Sequence, residues 1–181
     1  MSDIPEPHKK RFGFFDAAKP LIVEAVTVEA AGGVVEFAEE EIVTGGPGWR
    51  EQIQNPAMLD FLSQRSPSQL ASVCTGALIL AASGRLAGKS ATTRRNAVGS
   101  EKDAPIDLLG KSGHLLATPI ASIVDDVGTV SSGGVSLAID GMLYILGRLY
   151  GDETRDEIAS IIEYDRAYAA NREGLGHVLV S

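Results

Sequence analysis

The chain has 181 residues, 44% of them apolar and 22% charged, the composition of an ordinary globular protein with enough chain for one sizeable core. Its formal net charge of −8 argues against nucleic acid as a partner, because phosphate binding needs a basic face. A single cysteine excludes an internal disulfide and suits a reducing cytoplasm, and no run approaches the roughly 18 apolar residues of a membrane span.

One domain over residues 1–181 is expected, with residues 1–11 as a polar tail; Pro5 and Pro7 stand where a signal peptide would be apolar. Phe12, Phe14 and Phe15 suit a strand or a loop packed on the core. Leu21 to Val28 is β-branched and reads as a strand, Ala31-Gly32-Gly33 as a turn and Val34 to Phe37 as a returning strand. The acidic run Glu39 to Glu41 reads as a solvated face. Ile42-Val43-Thr44 leads into Gly45-Gly46-Pro47-Gly48, a turn by composition. It lacks the Gly-Lys-Ser/Thr ending of a phosphate loop. A helix is expected from Trp49 to Arg65, with Pro56 able to split it.

The next stretch organises the rest. An apolar strand, Leu70 to Val73, ends at the only cysteine, Cys74; Thr75 and Gly76 follow, then a helix-compatible run to Ala82. Strand, sharp turn, helix is the layout of a nucleophile elbow. The helix N-terminus then points at the sulfur and favours the thiolate, the nucleophilic form. Gly76 lets the first turn pack close to the strand.

Beyond the elbow, Ser90 to Thr93 reads as a short strand and Ala97 to Leu109 as a helix interrupted by Pro105. Leu115 to Ala117, Ala121 to Asp125 and Thr129 to Ser131 read as strands, with Asp126-Val127-Gly128 as a hairpin turn. Val135 to Tyr150 is a strongly apolar helix; Asp152 caps another, running to about Ala170. Val178-Leu179-Val180 is an apolar end that packs on the core or on a partner.

The block Ser72 to Thr93, with Cys74-Thr75-Gly76 at its head, resembles the ThiJ/PfpI superfamily, most of all its isonitrile hydratase branch. Thr44 to Gly48, Asp126 to Asp140 and Ile162-Glu163-Tyr164 extend the resemblance to roughly residues 40–165. It implies a flavodoxin-like three-layer α/β sandwich with a mostly parallel central sheet, a homodimer, and a cysteine nucleophile at the elbow. It also implies an oxyanion hole made by the amides of Gly46 and Thr75, and an acid/base aspartate, which falls on Asp16 in Phe15-Asp16-Ala17-Ala18-Lys19-Pro20. Three positions depart from the pattern: Lys19 replaces a glycine, Thr75 stands where many relatives have histidine, and Arg94-Arg95 replaces His-Trp. The segment from Pro20 to Thr44 is also short for the family's strands and helix.

His8, His114 and His177 lie in terminal or turn segments and read as solvated, which disfavours a Cys–His protease mechanism. No metal site is expected from one cysteine and three scattered histidines, and no cofactor. The expected activity is cysteine-dependent hydration of a small isonitrile. The alternatives are a small-molecule or redox-sensing domain, or glyoxalase- or deglycase-like chemistry on small aldehydes.

Overall fold

The computed structural model describes residues 41–181. The first strand, β1 (Glu41–Val43), leads through the glycine turn into α1 (Trp49–Gln52) and α2 (Pro56–Ser63). The helix expected across this region is therefore two helices. Pro56 sits at the start of the second, where its missing N–H is no loss, and Asn55 caps it by accepting from the amides of Ala57 and Met58. The elbow follows as β2 (Leu70–Val73) and α3 (Gly76–Ala82).

Next come α4 (Pro105–Lys111), β3 (Ile123–Asp126), β4 (Thr129–Ser132), α5 (Leu137–Tyr150), α6 (Asp152–Ile161), α7 (Asp165–Leu175) and β5 (His177–Val180). The strand order is β1-β2-β4-β3-β5, parallel throughout except for the β3–β4 hairpin. Val127 (φ 48°) and Gly128 (φ 86°) turn that hairpin, the two positive φ values that match the right-handed twist of the strands.

The two faces of the sheet bury different helices, which makes three layers. Leu70 points into a core with Trp49, Leu62, Leu78, Leu80 and Leu109. Its neighbour Ala71 points the other way, to Ile123, Val130 and Ile145, as the two-residue period of a strand requires. Each fully buried leucine here contributes about 2–3 kcal/mol of transfer free energy. Gly141 of α5 lies against Ser132, where a Cβ would come within 2.8 Å of the hydroxyl.

Several expectations are corrected. Ser90 to Thr93 is extended but is not a strand. Ser90 makes one bridge to Ala117, and side chains take two of its amides: Ser90 N–H donates to Asp126 Oδ2 (2.8 Å) and Thr92 N–H to Ser131 Oγ (2.9 Å). Leu115 to Ala117 is likewise not a strand beyond that bridge. Pro105 begins a helix instead of interrupting one. Gly151, not Asp152, is the N-cap of α6, and the expected single helix breaks at Ile162–Tyr164, where Glu163 has φ 54°. The apolar end is β5, paired in parallel with β3. His177 is half-buried in it, with ring centroids 5.6 Å from Tyr144 and 5.9 Å from Tyr168; burial and the charges of Arg172 and Arg155 push its pKa down.

Candidate active site

Cys74 joins β2 to α3 with φ 53°. An L-residue in this left-handed region carries about 1–2 kcal/mol of strain, so the surroundings must hold it there. They do so from both sides. The Cys74 N–H donates to the Gly133 carbonyl just beyond β4 (3.0 Å), and the Cys74 carbonyl accepts from Thr93 Oγ1 (2.6 Å). The cysteine is half-buried. Thr93 closes the Ser72 to Thr93 block that carries the family resemblance, whereas Gly133 stands in no motif, and neither contact with Cys74 is local in the chain.

The end of β1 closes over the elbow. A Cβ on Gly76 would fall 2.0 Å from the Val43 carbonyl oxygen, so only glycine fits there. A Cβ on Gly45 would meet Thr75 Oγ1 at 2.5 Å, Thr75 N at 2.6 Å and Cys74 Cβ at 3.2 Å. It is thus Gly45 that lies against the cysteine. The Gly46 N–H, expected to face the sulfur, instead donates to Thr75 Oγ1 (3.1 Å). The buried Thr75 hydroxyl needs a partner, and this amide supplies it. The two residues expected to flank the cysteine are brought together, bonded to each other. Asp16, the expected acid/base, lies outside the described residues.

Two clefts flank the elbow. One, of about 350 Å³, opens over β1 and is lined by Val43, Gly45, Gly46, Trp49, Leu62 and Ile79 among others. The other, of about 310 Å³, includes Thr93, Arg94, Arg95, Gly133, Gly134 and Asn171 in its wall. Behind the second cleft lies Asp140, fully buried on α5. Its Oδ2 accepts from Tyr164 Oη (2.9 Å) and Asn171 Nδ2 (3.1 Å). Burial raises the Asp140 pKa, against the pull of those two hydrogen bonds, and the Tyr164 phenol is pushed up to about 12, mainly by burial. Tyr164 also donates to the Ser136 carbonyl (3.1 Å), so this cluster fixes the start of α5 against α7.

Among the described residues, no three or more of His, Cys, Asp and Glu are grouped to hold a metal, and no helix is long and apolar enough to cross a membrane. His114 is exposed in its turn.

No family model matches the chain. Over 125 residues the chain is 34% identical to isonitrile hydratase of Pseudomonas putida, a span of 67% of this chain and 50% of that relative. The chain therefore spans about half the length of the curated relative it matches. A crystal structure of a ThiJ/PfpI family protein from Pseudomonas syringae aligns with TM-score 0.55 and 25% identity, over 68% of this chain and 49% of that one. Drosophila melanogaster DJ-1beta aligns with TM-score 0.54 and 21% identity over 70% and 66%. A mutant DJ-1 superfamily protein from Salmonella typhimurium gives 0.53 and 25% over 68% and 63%. With the strained cysteine between β2 and α3 and the mostly parallel sheet, these likenesses mean that the chain belongs to the ThiJ/PfpI superfamily.

Proposed function

We propose that this protein is a cysteine-dependent enzyme that adds water to a small isonitrile and releases an N-substituted formamide. The observation that carries the reading is Cys74 itself: a non-glycine residue kept at φ 53° on a strand-to-helix turn. Hydrogen bonds to both its amide and its carbonyl hold the strained residue in place, and residues held in this way cluster at active sites. The likeness to an isonitrile hydratase over 125 residues supplies the reaction class.

In this reaction the Cys74 thiolate attacks the terminal isonitrile carbon, and a proton is delivered to the same carbon. The product is a thioimidate, R–N=CH–S–Cys. Water then adds to that carbon, the C–S bond breaks, the thiol recovers its proton and the formamide leaves. Asp16 is the proposed proton carrier, and the Gly46 and Thr75 amides the proposed donors to developing negative charge.

The Gly46–Thr75 hydrogen bond favours a second reading, a small-molecule-binding domain without turnover, because an amide already paired stabilises new charge less well. Formamide production from a small alkyl isonitrile separates the two. The expected result is turnover that Cys74→Ala abolishes and Asp16→Asn lowers by roughly a hundredfold. Tight binding with no formamide in the unaltered protein would establish the second reading.

A further inference from the structure

We propose that the cleft beside Thr93 and Gly133 selects substrates bearing a carboxylate, with Arg95 as the specificity-determining residue; this rests on Cys74 being the reacting group. The chain carries a net charge of −8, yet the described wall of this cleft holds two guanidinium groups and no carboxylate. The cleft meets the elbow through its backbone: Thr93 and Gly133 in the cleft wall are the two residues bonded to the Cys74 carbonyl and amide.

The two arginines differ in what they can do. Arg94 is fixed in place: both Glu101 oxygens accept from its Nη2 at 2.8 Å, and the Asn96 carbonyl accepts from Nη1 at 2.5 Å. The Val98 amide first, and then Arg94, hold the Glu101 carboxyl below its usual range, so it stays ionised. Arg50 adds a second cation 3.7 Å from Glu101, leaving this cluster with a net positive charge. Arg95, the next residue, is exposed and forms no ion pair among the described residues.

A further group on the same wall lacks a partner. Thr92 is 1% exposed and its Oγ1 has no hydrogen-bond partner among the described residues. That hydroxyl is closed off from solvent, so the group an incoming carboxylate can reach is the exposed Arg95. A planar guanidinium with free donors suits a carboxylate, which it can bind through two parallel hydrogen bonds.

The test compares alkylation of Cys74 by iodoacetate, which is anionic, and iodoacetamide, which is neutral, on the full chain at low ionic strength. The rate ratio is normalised to that of free cysteine. The expected ratio is about threefold or more above free cysteine, falling to the free-cysteine value in Arg95→Gln and partly kept in Arg95→Lys. A ratio no higher than free cysteine, or one that Arg95→Gln leaves unchanged, overturns the proposal. A thiol that reacts with neither reagent overturns both this proposal and the enzymatic reading. Reaction of both reagents with no hydration of any isonitrile sinks the enzymatic reading alone, and the ratio still decides on Arg95.

Discussion

Cys74 brings a stability cost and the thiol of the proposed reaction to the same residue. At φ 53° the usual ranking of glycine below alanine inverts, because only glycine takes this conformation without strain. Cys74→Gly should therefore be more stable than Cys74→Ala by about 1 kcal/mol, measured by thermal or urea unfolding, with neither variant turning over. At an ordinary φ glycine would come out the less stable, so the sign of the difference is the result. The elbow was legible in the sequence because it is local: strand, cysteine, Thr75-Gly76 and helix follow one another between Leu70 and Ala82. The partner of the Gly46 amide was not legible, since it depends on how a turn 29 residues upstream docks on Thr75.

Between elements, the break after α6 shows how a buried charge sets geometry. Tyr164 begins the step into α7 and donates to Asp140 on α5. Asp140 has a raised pKa in the folded state, so the stability linked to its neutral form is fully present below about pH 3.8 and is lost as pH rises through the folded value. The Tyr164 hydrogen bond favours the ionised form and limits that loss. Tyr164→Phe should cost about 1–3 kcal/mol at pH 7 and less near pH 4, where more of Asp140 is protonated. Urea unfolding at the two pH values measures this; an equal cost at both would show that Asp140 is not the partner that matters. The sequence suggested one helix here because Asp152 to Ala170 is polar and helix-forming. The positive φ at Glu163 belongs to the cap that ends α6, where the Glu163 N–H donates to the Ser160 carbonyl (3.0 Å) and the Tyr164 N–H to that of Ala159 (2.8 Å); with no glycine at this cap, the residue types did not announce it.

For the molecule as a whole, the alternation of apolar strands with helices made the layered, mostly parallel sheet readable, and the Asp126-Val127-Gly128 turn announced its one antiparallel pair. The same alternation over-assigned Ser90 to Thr93, whose amides are taken by Asp126 and Ser131 side chains from distant parts of the chain. The sheet order also sets a timetable. The β3–β4 pair closes through a two-residue turn, whereas β2 must find β4 across the stretch from Ala71 to Val130, and β3 must find β5 from Ile123 to His177. Short-range pairing forms early and long-range pairing late, so the hairpin is the natural nucleus and the elbow, which needs β1, β2 and β4 all in place, assembles after it. Val127 is β-branched at φ 48°, where asparagine is far better tolerated. Val127→Asn should stabilise the protein by about 1 kcal/mol and accelerate refolding about fivefold while leaving the unfolding rate nearly constant. Stopped-flow refolding and unfolding across a urea series reads both rates. A gain confined to slower unfolding would mean that the hairpin turn closes only after the rest of the sheet, so that β4 docks beside β2 and holds Cys74 before the chain has finished folding.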